Sequence, residues 1–301
     1  MDFRETPLDL QLHRAAIKGD RGMILKVLNT GRVHVDCRDK DGTTPLMFSV
    51  ARGHFDCVQE LLEQGADPNS RRFEVECDGG TPLFVACQEG HEPVVRELIA
   101  VGANTNFPMK DRATPLFVAS QNGHCLIVRL LLQRRAMIDY KRTDGATPLW
   151  IAAQMGWADV SSCLLENGAY VDSLRNDGAS PLFKAAHKGF LDVVRVLLRK
   201  KPNLGILPIG ESVLHGAVMF GHLDVAKVLI KAGSNPTLPN QDGDTPYQLA
   251  LKWKFPNVAD YLKHFTSNGH ANGHANGHAV MPNGGSTTTK KLENTTNAPK
   301  G

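Results

Sequence analysis

The chain has 301 residues, 42% hydrophobic and 22% charged, with 34 basic side chains set against 31 acidic ones for a formal charge of +3. That balance weighs against a domain that tracks a phosphate backbone, which needs a concentrated basic face. No run approaches the roughly 20 apolar residues of a membrane span, and Met1-Asp2-Phe3-Arg4-Glu5 holds no apolar signal core, so a cytoplasmic or nuclear protein is expected.

A phrase ending in Thr-Pro-Leu returns along the chain. It stands at Thr44-Pro45-Leu46, Thr81-Pro82-Leu83, Thr114-Pro115-Leu116 and Thr147-Pro148-Leu149, then at Ser180-Pro181-Leu182, Ser212-Val213-Leu214 and Thr245-Pro246-Tyr247. The middle residues lie 37, 33, 33, 33, 32 and 33 positions apart. A fixed period of this length predicts a stacked array whose units touch only their neighbours, giving a long surface rather than one deep core. Eight units are expected, at about 8–40, 41–73, 78–107, 111–140, 144–173, 177–206, 209–238 and 242–265.

In chain order, the first unit keeps an apolar helix core in Leu12-His13-Arg14-Ala15-Ala16 but lacks the Thr-Pro start. Lys18, Asp20, Arg21 and Lys26 make its outside polar, as the end of a stack requires. The longer gap after the second unit puts four extra residues into Arg71-Arg72-Phe73-Glu74-Val75-Glu76. An exposed finger is expected there, with Phe73 as its anchor for a partner.

The fifth copy is the cleanest. Asp144-Gly145 supplies a tight turn, Thr147 caps the free N–H groups of a helix, and Pro148 suits its first position. Leu149, Ile151, Ala152 and Ala153 form a short helix that Gly156 ends. A second helix follows from about Asp159 on Val160, Leu164 and Leu165, and Gly168 closes it.

Between the sixth and seventh units the chain reads Pro202-Asn203-Leu204-Gly205-Ile206-Leu207-Pro208-Ile209-Gly210, where most other hairpins are polar. Ile206, Leu207 and Ile209 at this tip, with Met219 and Phe220 beside them, form an expected binding hot spot. Trp253 one unit further on and Met155 in the fifth unit extend it. The competing reading is a hairpin that packs down on its own stack. The last unit replaces the helix-ending Gly with Lys254 and closes in Asp260, Lys263 and His264. From 266 to 301 the composition changes to a thrice-repeated Asn-Gly-His-Ala, then Gly, Ser, Thr and Lys, which predicts a disordered tail. His270, His274 and His278 at spacing four suit a transition metal, but a low-complexity linker explains them as well.

Thr-Pro-Leu, then x-Ala-Ala, Gly-His and Val-x-x-Leu-Leu-x-x-Gly-Ala resemble the ankyrin repeat. One copy reads Thr81-Pro82-Leu83, Gly90-His91, Val94-Val95, Leu98 and Gly102-Ala103. The resemblance implies an all-α ankyrin-repeat solenoid of about eight helix-turn-helix units joined by β-hairpin loops. It is closest to small proteins built of such repeats alone. It implies binding by hairpin tips and the inner face of the first helices, where Asp41, Thr43, Arg52, Gln88, Asp111, Gln121 and Asn122 also fall. It further places Asn69 and Asn106 at the hairpin site where asparagine is hydroxylated in many such repeats. The position after Thr-Pro-Leu, usually His, carries Met47, Phe84, Phe117, Trp150 and Phe183, and only His215 keeps the family residue. These rings are either a ligand ladder or filling between helices, and their repeat-periodic helical spacing favours core.

No catalytic constellation is expected. His54, His91, His124 and His222 share one Gly-His corner, and Cys87 with His91 lacks an orienting third group. There is no Gly-rich phosphate loop and no His-Glu-x-x-His. The six cysteines form no Cys-x-x-Cys pair, which fits reduced thiols. The expected function is a monomeric, non-enzymatic protein-binding scaffold with no cofactor. A regulatory or substrate-presenting subunit is the alternative, and nucleic-acid binding is the weaker one.

Overall fold

The computed structural model describes residues 5–72 and 79–266. Over these, sixteen helices follow in eight pairs. The pairs are α1 (Pro7–Lys18) with α2 (Arg21–Leu28), α3 (Pro45–Ala51) with α4 (Phe55–Glu63), α5 (Pro82–Glu89) with α6 (Glu92–Ala100), and α7 (Pro115–Gln121) with α8 (Cys125–Gln133). They continue as α9 (Pro148–Met155) with α10 (Ala158–Glu166), α11 (Pro181–Lys188) with α12 (Leu191–Leu198), α13 (Val213–Val218) with α14 (Leu223–Lys231), and α15 (Pro246–Lys252) with α16 (Pro256–Thr266). Each first helix packs on its partner and on the first helix of the next pair, and the second helices stack likewise.

The recurring phrase sets each helix start. The hydroxyls of Thr44, Thr81, Thr114, Thr147, Ser180, Ser212 and Thr245 accept the N–H three residues on, at 3.1–3.4 Å. Proline stands at the first helical position wherever the phrase holds it. The first unit departs from expectation. It does begin with Thr-Pro, at Thr6-Pro7, one turn earlier than the register of the other units, and Thr6 and Asp9 form a reciprocal capping box. The 12-residue α1 therefore has an extra turn, Pro7-Leu8-Asp9-Leu10, at the end of the stack.

The leucine of the phrase is buried in every unit that has it: Leu46, Leu83, Leu116, Leu149, Leu182 and Leu214. Truncating any one to alanine costs about 2–5 kcal/mol in a packed core. Met47, Phe84, Phe117, Trp150, Phe183 and His215 are buried too, so these rings are core filling. Trp150 keeps part of histidine's job. Its Nε1–H donates to the Ala179 carbonyl at 3.0 Å, as His215 Nε2–H does to the Asp244 carbonyl at 3.2 Å, both 29 residues on. The Ser212 N–H then donates to His215 Nδ1 at 3.2 Å, and burial pushes this imidazole's pKa down.

The corner between paired helices forms a second column. His54, His91, His124, Trp157, Phe190, His222 and Phe255 each lie against the corner glycine of the preceding unit. His54, His124, Trp157 and His222 also bond a carbonyl near that glycine, at 2.8–3.1 Å. The corner histidines are structural.

The connections are tighter than full hairpins. Arg142, Arg175, Leu207 and Asn240 each donate their N–H to the carbonyl four residues on. Among the described residues these turns hold one isolated antiparallel bridge, Ile206 with Ser212, and no strand. Successive tips bond sideways instead, from Thr143 N–H to Asp111 O, Asn176 N–H to Asp144 O and Gln241 N–H to Gly210 O.

Candidate interaction face

The turn tips and the first helices wall a groove. In its middle, position one of two successive turns covers the ring of the unit before. The Arg142 guanidinium lies 4.9 Å from the Phe117 ring centroid and that of Arg175 lies 5.0 Å from Trp150, where Lys184 Nζ also sits at 5.8 Å. These are cation–π distances. Both arginines converge on Asp144. Arg142 reaches it at 2.6 and 3.0 Å and Arg175 at 3.1 Å. The Arg142 hydrogen bonds hold the Asp144 carboxyl down to about 2 against the opposing pull of partial burial. Lys184, half buried beside Arg175 and Lys188, has its pKa lowered, burial being the larger cause.

This register explains the first correction to the expected hot spot. Leu207 occupies the position of Arg142 and Arg175, so it covers the unit before instead of facing a partner, and it is 3% exposed within the same core as Phe183. Ile209 and Met219 are half-buried against that core, and Pro202 is buried. The hairpin packs down. Of its large aliphatic groups only Ile206 is exposed, at 40%.

The remaining residues fall into a column at the ends of the first helices, seven positions after the helix-starting residue. That register reads Arg52, Glu89, Asn122, Met155, Lys188, Phe220 and Trp253. Met155, Phe220 and Trp253 are 44%, 49% and 53% exposed. Phe220 rests on the His187 ring, centroids 4.2 Å apart. Burial, with Lys184 and Lys188 nearby, pushes the His187 pKa down, so it presents a neutral ring to its neighbour. Phe73 and the histidine-bearing tail lie outside the described residues.

Asn69 and Asn106 serve the stack. Asn69 Oδ1 accepts the Asn104 N–H and Asn106 Oδ1 accepts the Met137 N–H, both at 2.8 Å, and each amide donates weakly to a carbonyl of the next unit. Asp36, Asp139 and Asp172 hold the same register and accept the N–H of Asp67, Tyr170 and Asn203.

Sequence reasoning placed Asp41, Thr43 and Gln88 in the N-terminal half of the groove but missed its apolar lining. Phe48, Val85 and Met109 join the buried Met47 and Phe84 around a hollow there, which no single unit's sequence announces because its walls come from three units. Among the described residues no group of three or more His, Cys, Asp or Glu side chains is placed to hold a metal, and no helix is long and apolar enough to cross a membrane.

Paired helices stacked in one register, with a groove along their turns, define a helical repeat array of the interaction-module class. More narrowly, the chain belongs to the ankyrin-repeat family. Family models described as ankyrin repeats match residues 9–72, 71–144, 116–207 and 214–262. Ankyrin repeat domain-containing protein 29 from Danio rerio is 49% identical over 73 residues, and its Homo sapiens counterpart 51% over 73, in each case 24% of this chain and 24% of the relative. Inversin from Homo sapiens is 37% identical over 67 residues, 22% of this chain and 6% of that protein. The alignments thus span about a quarter or less of the relatives' length.

Proposed function

We propose that this chain is a non-enzymatic interaction scaffold that captures a partner protein in the groove between its turn tips and first helices, anchored at the C-terminal end on Phe220 and Trp253. One observation carries the reading. A register that is charged or polar in the second to fourth units and again at Lys188 in the sixth carries Met155 in the fifth and Phe220 and Trp253 in the last two, all three exposed. The fold does not require apolar groups there, since Arg52, Glu89 and Asn122 serve as well. Exposed aromatic anchors on a rigid support are what protein interfaces concentrate their binding energy on. The near-neutral mixture of charges around them suits a protein surface better than a nucleic acid.

The test is quantitative co-purification from cell extract with the native chain and with Phe220→Ala/Trp253→Ala. Partners that bind here fall by about tenfold or more with the double variant, the loss of two anchors of about 1–2 kcal/mol each. Leu126→Ala, an exposed apolar change on a second helix, leaves them in place. Identical partner lists for all three proteins overturn the proposal.

A further inference from the structure

In the sixth unit the inner face of the groove carries a charge that the fold does not ask for. Three residues after the helix-starting residue the register reads Val85, Val118 and Ile151 in the three units before, and Gly216 and Leu249 in the two after. The sixth unit places Lys184 there. Lys184 is half-buried, its ammonium lies 5.8 Å from the Trp150 ring centroid, and it makes no hydrogen bond or ion pair among the described residues. Lys188, one turn on and exposed, makes none either. The carboxylates beside them are already engaged. Asp144 holds Arg142 and Arg175, Asp177 lies 3.4 Å from Arg175, and Glu211 in the next turn accepts from Asn240 at 2.8 Å. Arg142 and Arg175 cancel Asp144 and Asp177, so the charges of Lys184 and Lys188 stay unanswered. Burial lowers the Lys184 pKa, with Arg175 and Lys188 acting the same way and Asp177 against them, so an arriving anion favours the charged form.

The chemistry of the stretch favours a carboxylate over a phosphate. Lys188 is the last residue of α11, whose carbonyl end disfavours a dianion. The arginine forks that phosphate prefers are filled by aspartate. Apolar groups flank the charge, since Lys188 stands in its register between Met155 and Phe220, which are 44% and 49% exposed. Packed helices lie about 8–10 Å apart and an extended chain advances about 3.3 Å per residue. A strand running along the groove therefore passes one unit about every three residues.

We propose that the partner protein lays an extended acidic segment along this stretch, with an Asp or Glu carboxylate accepting from Lys184 and Lys188 and apolar side chains about three residues to either side against Met155 and Phe220. The inference rests on the reading of the groove as a partner-binding surface and names the chemistry of the segment it takes.

The probe is a displayed library of random twelve-residue peptides panned on the full chain, with enriched sequences synthesised and titrated by fluorescence polarisation. Enriched peptides share an acidic residue with apolar residues about three positions to either side. Exchanging that acid for its amide weakens binding to the native chain about tenfold to a hundredfold, the range of a hydrogen bond to a charged group. Lys184→Met/Lys188→Gln weakens the acidic peptide by a similar factor and binds the acid and amide forms alike, because both changes remove one interaction. The same variant keeps or raises the melting temperature, since the register accepts apolar residues and no bond is lost in the free protein. A clear fall shows that the lysines are bonded within the fold and overturns the inference. So does an amide penalty that persists in the lysine variant, or a set of enriched peptides without an acid. If such peptides still weaken with Phe220→Ala/Trp253→Ala, the scaffold reading stands, and a library with no binders overturns both. A fluorescent single-stranded oligonucleotide is the competing occupant. If it binds at physiological salt and the lysine variant releases it, the site takes phosphate and the inference fails.

Discussion

Gly123→Ala measures what holds one unit on the next. Gly123 has φ +80°, a left-handed backbone, and a Cβ added there lies 2.6 Å from Cδ2 and Cε2 of Trp157. Trp157 cannot yield freely, because its Nε1–H donates to the Gln121 carbonyl at 2.8 Å. The left-handed strain of alanine costs roughly 1–2 kcal/mol, and overpacking adds about 1–3 kcal/mol. Gly168→Ala is the internal control, since Gly168 has φ +93° but nothing within 4 Å of its added Cβ. It carries the strain alone, and the entropy alanine removes from the unfolded chain is common to both. Gly123→Ala is therefore expected to destabilise the array by about 2 kcal/mol more than Gly168→Ala, in equilibrium guanidinium unfolding followed by circular dichroism. In a Trp157→Ala background the two penalties converge. Equal penalties in the native background, or a Gly123 penalty unmoved by removing Trp157, would falsify the account of the corner column.

Further expectations follow from single groups. Asp144 is held at about 2, below its ordinary 3.8. A carboxyl lowered by folding contributes fully above its unfolded value, so its share of stability is constant above about pH 5 and lost as pH falls from about 4 through 2. Melting curves between those values should show that slope, and Asp144→Asn should flatten it; an unchanged slope refutes the assignment. Lys254 has φ 61° in the register of the glycines at 123, 156 and 221, so Lys254→Gly is expected to stabilise by about 0.5–1 kcal/mol, read as a higher denaturation midpoint. A lower midpoint contradicts it. We also propose hydroxylation of Asn69 and Asn106, seen as one added oxygen in peptides of the protein purified from animal cells. Unmodified masses at both residues dispose of this.

The local rules were legible in the chain itself. Thr or Ser before Pro, Gly at a helix end and leucines at helical spacing act over a few residues, so the helix pairs and their period could be read directly. The burial of Phe117, Trp150 and Phe183 was legible for the same reason, since periodic spacing places them on one face in every unit. Thr6-Pro7 was legible too, but it stands one turn out of register and was passed over. What the stacked structure alone decided is the fate of residues whose neighbours belong to another unit. Leu207 read as an exposed tip residue, yet it lands where Arg142 and Arg175 cover the ring of the preceding unit. Thr43 read as part of the binding surface, yet it is only 6% exposed. A period says that units stack but not which atoms meet across the joint. Burial there depends on contacts 29 to 37 residues apart, whose geometry exists only once two units are packed together.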